Sequence, residues 1–210
     1  SYQGAEGSYS HLAAQRQYSG RPGGVLLTGC ESFRRAAESV LSGEADLALL
    51  PIENTTAGSI NETYDLLGEG GLTITGEVIA AIEHCLLALP GTAVAELAAA
   101  LSHPQALAQC EGFFRAHPHI RAQAEFDTAG AARKVRELGD RRLGAIASFA
   151  AASTYGLEVL ARGIQTQAGN STRFVEVGLH AVPVAEGARA KSSLLLVLAD
   201  RPGVLGEILQ

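Results

Sequence analysis

Short apolar runs alternate with amphipathic segments from the start of this chain to about Gly178, and that alternation restricts it to α/β architectures. The apolar runs predict strands at Val25–Thr28, Ala45–Ile52, Leu72–Ile82, His119–Ala124, Leu143–Ala147, Arg173–Gly178 and Ser193–Leu198. The amphipathic segments predict helices at Tyr9–Tyr18, Ser32–Leu41, Ile60–Leu67, Ala93–Ala100, Gln105–His117, Ala129–Leu138 and Phe149–Tyr155. Gly43, Gly68 and Gly139 fall where glycine commonly ends a helix. Pro183–Lys191 is small and polar and reads as a linker. After it, strand, Pro-Gly turn and helix read as the opening of a separate domain. The chain enters partway through a first strand and reaches Gln210 inside a helix pattern.

Composition removes several function classes. A formal charge of -6 argues against a general nucleic-acid binder, which needs a basic face. The longest apolar candidate for a membrane span, Val78–Leu89, is interrupted by Glu83 and His84. Cys30, Cys85 and Cys110 are widely spaced, without a CxxC pair or zinc spacing, and read as reduced thiols. With no signal-peptide pattern in view, the expected compartment is the cytoplasm.

Four segments carry groups suited to chemistry. Gln3–Ala14 sets Gly4, Gly7, Ser8 and Ser10 before a helix, either as an anion-facing turn or as a tight turn capped by Ser8. Leu49–Ile60 ends an apolar strand in Glu53-Asn54-Thr55-Thr56, at the strand end where open α/β sheets bind ligands. Ordinary loop capping explains that stretch equally well. Leu101–Cys110 places Ser102 before Pro104 and Gln105; His103 and His84 read as structural histidines. Ala168–Gly178 delivers Thr172, Arg173 and Phe174 at a strand start: a hydroxyl donor, a fork suited to a carboxylate, and an apolar wall. Alone, Arg173 also fits a surface ion pair.

Taken together and in order, these segments resemble the prephenate dehydratase family over about Ser1–Gly178. The resemblance rests on Gly4/Gly7/Ser8/Tyr9/Ser10, Pro51-Ile52-Glu53-Asn54, Ser102-His103-Pro104-Gln105-Ala106, Ala147-Ser148 with Tyr155-Gly156-Leu157, and Asn170 with Thr172-Arg173-Phe174. The tail from Ser192 is similar to the start of an ACT regulatory domain, with Pro202-Gly203-Val204-Leu205 in the place of that domain's first motif. Thr55 stands where the family usually has serine, and Thr166 after Gln165 where aspartate is common.

The resemblance implies a two-lobed catalytic module of the type II periplasmic-binding-protein kind over residues 1–180, followed by the start of a ferredoxin-like ACT domain. Lobe 1 would hold about 1–78 plus 172–180, lobe 2 about 85–164, with a linker at 181–191 and the incomplete ACT unit at 192–210. It implies conversion of prephenate to phenylpyruvate, carbon dioxide and water, with Thr172 assisting departure of the hydroxyl. Arg173, Phe174, Asn54, Thr55, Ser102 and Gln105 would bind substrate. No cofactor or metal is expected; phenylalanine is the expected effector of the full-length protein, and a homodimer or homotetramer the expected assembly. The alternatives are an arogenate dehydratase and a non-catalytic small-anion binder on the same fold.

Overall fold

In the computed structural model, which describes residues 1–184, 186–194, 196 and 198–209, the strands sort into two sheets joined by two crossings. The first stretch of chain forms β1 (Tyr2–Gln3), α1 (Tyr9–Tyr18), β2 (Gly29–Cys30), α2 (Phe33–Leu41), β3 (Ala48–Asn54), β4 (Gly58–Ser59), α3 (Asn61–Gly68) and β5 (Thr73–Ala81). The second forms β6 (Cys85–Ala88), β7 (Ala99–Ser102), α4 (Pro104–Gln109), α5 (Glu111–Ala116), β8 (Arg121–Ala124), α6 (Thr128–Leu138), β9 (Leu143–Ala147), α7 (Phe149–Tyr155) and β10 (Glu158–Ala161). The chain then returns as β11 (Ser171–Gly178), and α8 (Val204–Ile208) lies in the C-terminal segment.

The lobe 1 sheet runs β2-β1-β3-β11-β5, with β4 paired to β3; the lobe 2 sheet runs β10-β6-β9-β7-β8. In lobe 1, β3 is parallel to β1 and antiparallel to β11, so the end of β3 and the beginning of β11 meet, Asn54 opposite Thr172. This register follows from burial. Ala48 to Ile52 are all buried, and a strand covered on both faces belongs in the middle of a sheet. In lobe 2, β7 lies in parallel between β8 and β9, which carries Ser102 and the start of α4 toward lobe 1.

Local chemistry explains the helix starts. Ser8, Ser32, Asp127 and Ser148 each accept a backbone N–H from the third residue after them, the expected role of an N-cap. At α1 the turn before the cap is braced as well, because His11 Nδ1 accepts from Gly7 N at 3.0 Å. Gly7 has φ +83°, and a Cβ there would sit 3.1 Å from Ala151 Cα in lobe 2. Any larger residue would be strained and would push the lobes apart.

Several expected elements differ. Ala93–Ala100, rich in the best helix former, instead gives a 3₁₀ turn at Val94–Glu96 and then β7. Ala99, Ala100 and Leu101 are buried between two parallel neighbours, where tertiary pairing overrides alanine's propensity. The helix expected at Gln105–His117 is two helices broken at Cys110, whose φ/ψ of -100°/21° leaves the helical region. Val25–Thr28 is not a strand; the pairing partner of β1 is Gly29–Cys30. Strands β6 and β10 were not expected. The strand expected at Ser193–Leu198 falls partly on residues outside those described.

Candidate active site

A cleft of about 400 Å³ opens between the two sheets and is lined from both lobes. Lobe 1 contributes Ser8, Tyr9 and Ser10 at the start of α1, Asn54 at the end of β3, and Thr172 and Phe174 from β11. Lobe 2 contributes Gln105 and Gln109 from α4, with Phe126, Asp127 and Thr128 before and at the start of α6. Glu31 and Glu62 complete an acidic rim, and among the described lining residues there is no lysine or arginine.

The polarity at the base of this cleft is dictated by the backbone. Thr56 N and Ala57 N donate to Asn54 Oδ1 at 3.0 and 2.9 Å, so the Asn54 amide must turn its Nδ2 the other way. That nitrogen donates to Thr172 Oγ1 at 2.9 Å and to Asn170 Oδ1 at 2.8 Å. Thr172 therefore receives a hydrogen bond, and its own proton is left to point elsewhere. Thr172 is 7% exposed, so its hydroxyl is nearly dry yet opens on the cleft. A hydroxyl held in this way can donate to an oxygen that gains charge in the cleft.

The lobes touch around the cleft through specific bonds. Ser148 Oγ donates to Gly7 O at 2.6 Å and the Tyr155 hydroxyl to Glu6 O at 2.7 Å, which accounts for both residues beside the glycine turn. On the opposite wall Gln109 Nε2 donates to Thr56 Oγ1 at 2.6 Å. His84, at the crossing between β5 and β6, lies between Tyr9 and Gln109. Burial holds the His84 and His103 imidazoles below their ordinary pKa, against a hydrogen bond to Gln109 in one case and the Asp127 charge in the other. Burial also raises the Tyr9 hydroxyl well above its ordinary value.

Asn54, Gln105, Thr172 and Phe174 reach the cleft as expected from their positions, but three other residues do not. Arg173 points away: successive strand residues alternate faces, and with Thr172 and Phe174 on the cleft wall Arg173 must lie on the other side. There its Nε donates to Glu77 at 2.8 Å and its Nη1 to Glu53 at 3.3 Å. Burial opposes its charge, but hydrogen bonds to Glu77 and Glu53, with the charges of those carboxylates, prevail and raise its pKa. It is an ion-paired sheet residue, and the expected carboxylate anchor is absent from the wall. Ser102 is fully buried and spends its hydroxyl on Ile146 O at 2.5 Å. Thr55 Oγ1 accepts from Ser171 N at 2.9 Å, tying the β3 end to β11 rather than facing the cleft. His84 was read from sequence only as a structural histidine and Tyr9 only as part of the family resemblance, while Gln109, four residues after Gln105 in the same segment, was not singled out.

Comparison with known proteins gives a consistent picture. A family model described as prephenate dehydratase matches residues 1–181. The bifunctional chorismate mutase/prephenate dehydratase of Escherichia coli K12 is 39% identical over 207 residues, covering 98% of this chain and 53% of the relative. Arogenate dehydratase 2 of Petunia hybrida is 43% identical over 204 residues, covering 97% of this chain and 50% of the relative. The chain thus spans about half the length of the curated relatives it matches. Among solved structures, a prephenate dehydratase from Arthrobacter aurescens in complex with L-Phe superposes with TM-score 0.79 at 29% identity, over 99% of this chain and 70% of that one. A quorum-quenching acylase superposes with TM-score 0.75 at 34% identity, over 99% of this chain and 74% of that one.

Proposed function

The chain belongs to the prephenate dehydratase family, and from that premise we propose that it converts prephenate to phenylpyruvate, carbon dioxide and water in phenylalanine biosynthesis. The observation that carries this reading is the Thr172 hydroxyl, oriented by Asn54 at 2.9 Å and left free to donate into the cleft. In the reaction the bond to the ring carboxylate breaks and its electron pair enters the ring. The carbon–oxygen bond to the ring hydroxyl breaks, and the departing oxygen takes up a proton to become water. Aromatisation supplies the driving force, so the protein's task is to hold the anion and stabilise the leaving oxygen. An alkyl hydroxyl is a very weak acid, so Thr172 acts through a hydrogen bond that strengthens as charge develops.

With Arg173 turned away, the carboxylates fall to neutral groups. Gln105 donates from lobe 2, and the ten-residue α1 starts at the cleft with the positive end of its dipole and unsatisfied first-turn N–H groups. Phe174 and Phe126 give the ring apolar walls. Among the described lining residues Ser8 accepts from His11 N and His103 Nδ1 accepts from Gln105 N, so these two do not form the serine–histidine pair that acyl transfer commonly uses. That favours dehydration over the acylase chemistry of the second structural relative.

One observation favours a second substrate. Glu31, Glu62 and Asp127 without a lysine or arginine make a negative rim, which opposes a dianion more than an analogue bearing an ammonium. Arogenate is that analogue, and the Petunia relative acts on it by name. The further proposals are a cytoplasmic homo-oligomer and, in a form extended through a complete ACT domain, inhibition by phenylalanine, which the Arthrobacter relative holds. The test is to incubate the purified chain with prephenate and with arogenate and to quantify phenylpyruvate and phenylalanine. Phenylpyruvate from prephenate at a rate far above the uncatalysed one is expected; no acceleration with either compound overturns the reading.

A further inference from the structure

His84 is 2% exposed, yet both of its ring nitrogens are spoken for by groups from different lobes. Nδ1 lies 2.9 Å from the Tyr9 hydroxyl on α1, and Nε2 lies 2.7 Å from Gln109 Oε1 at the end of α4. Its backbone N–H is held by Gln165 Oε1 at 3.0 Å, on the other interlobe crossing. A buried histidine at this junction is more than filler, because the protons around it can be placed.

The placement starts from the Asn54 amide, whose direction the backbone fixes. Asn54 Nδ2 donates to Asn170 Oδ1, so Asn170 presents Nδ2 to its other neighbour, Gln109 Oε1, at 3.1 Å. Gln109 in turn aims Nε2 at Thr56 Oγ1, whose own proton goes to Asn54 Oδ1 at 2.7 Å. Gln109 Oε1 is therefore an acceptor, and the nitrogen facing it on His84 must carry a proton. The neutral ring is the Nε2–H tautomer, and its unprotonated Nδ1 shares the single proton of the Tyr9 hydroxyl with Glu83 O, at 2.9 and 2.7 Å from that oxygen. Removing the imidazole would leave Gln109 with one donor fewer and free its amide to rotate. Rotation would break the bond to Thr56 and set two oxygens, Gln109 Oε1 and Asn54 Oδ1, against each other.

We propose that His84 is a positioning residue of the dehydration: through Nε2–H it locks the Gln109 amide, and Gln109 locks the Asn54–Asn170 pair that orients Thr172. The proposal rests on the dehydratase reading. His84 acts through Gln109 and not on substrate, so its loss falls on the step in which Thr172 donates and not on binding.

The experiment measures kcat, KM and melting temperature for wild type, His84→Gln, His84→Leu, Gln109→Leu and the double variant, each on prephenate and on arogenate. His84→Leu is expected to lower kcat roughly ten- to a hundredfold with KM within about twofold, the effect of one lost buried hydrogen bond. His84→Gln, whose amide can reach the Nε2 position, is expected to recover most of that loss. The double variant is expected to be no slower than Gln109→Leu alone, because the two residues act in series. Equal rates for the Gln and Leu variants overturn the proposal, as do losses that multiply in the double variant. If His84→Leu does not fold, His84→Asn replaces it; its shorter amide reaches Tyr9 but not Gln109, and a rate equal to that of His84→Gln overturns the proposal. A wild type inactive on both substrates overturns the dehydratase reading itself, whereas an active wild type with an unaffected His84→Leu removes only the role of His84.

Discussion

The two lobes differ in what buries one face of each sheet. Lobe 1 packs large side chains, Leu50, Ile52, Leu66, Val175 and Val177 on one face and Leu49, Phe174 and Tyr18 on the other. Lobe 2 packs alanines on the face under α6 and α7, where Ala99, Ala131, Ala132, Ala145, Ala147, Ala151 and Ala152 share one cluster with Leu87, Leu101, Val135 and Leu157, and it packs Leu86, Leu97, Ile120 and Ile146 on the other face. Small residues bring helices α6 and α7 close to the sheet, and on the opposite face Gly144 has little room, since a Cβ there would meet Leu87 O at 3.1 Å and Leu97 Cδ1 at 3.2 Å. The contrast extends to the cleft. Lobe 1 offers polar groups at strand ends, Asn54 and Thr172, whose directions the sheet backbone sets. Lobe 2 offers side chains from helix starts, Gln105 and Thr128, and the bracing amide of Gln109. On the proposed reaction the division is one of labour: lobe 1 would hold the reacting hydroxyl, and lobe 2 would be a platform that binds and braces.

If that division is right, damage to lobe 1 at the cleft strikes turnover. Asn54→Ala removes the donor that orients Thr172, and kcat is expected to fall roughly 10²-fold in steady-state assays. A change confined to KM would move Asn54 into the binding set. The platform is tested by overpacking: Ala132→Leu is expected to cost about 1–3 kcal/mol in denaturant unfolding. In lobe 1, Ile52→Val is expected to cost about 1 kcal/mol. Reversal of that order would mean that lobe 2 yields more readily than its alanines suggest.

Gln105→Ala, a change in lobe 2, is expected to raise KM several-fold with kcat largely kept, the signature of a binding contact. Smaller still is Arg173→Lys. Its ion pairs are partly exposed, so stability should change by less than about 1 kcal/mol and KM for prephenate should hold. A large rise in KM would restore Arg173 as an anchor. The smallest effect is acid sensitivity. The His84 pKa is lowered in the fold, so the unfolded chain takes up a proton first as pH falls through about 6.5. Stability is therefore lost on going from neutral pH toward 5.5, and melting curves of His84→Gln should show less of that loss than wild type.

The same contrast explains what could be read from sequence. Lobe 1's central strand was legible because a continuous apolar run ends there in the polar Glu53-Asn54, and Thr172–Phe174 because polar groups open the next strand at a small-polar loop. Arg173 was misplaced although the means of placing it were at hand: Thr172 and Phe174 have the same parity on a strand, and their shared face excludes the residue between them. Lobe 2 was harder. Alanine strands such as Ala99–Leu101 carry no periodic signal that separates them from a helix, and only their burial between β8 and β9 decides. His84 read as core because burial and bridging look alike in one dimension; its partners Tyr9 and Gln109 lie seventy-five and twenty-five residues away.

The central claim is that lobe 1 presents the hydroxyl of Thr172 as the donor to the departing oxygen. Thr172→Val keeps the shape and removes the hydroxyl, and Thr172→Ser keeps the hydroxyl and removes a methyl. The decisive measurement is kcat of both on prephenate, with circular dichroism and melting curves to show that each is folded. The account predicts a folded Val variant slowed by roughly 10²–10⁴-fold and a Ser variant much closer to wild type. A folded Val variant that turns over prephenate at near wild-type rate would contradict it.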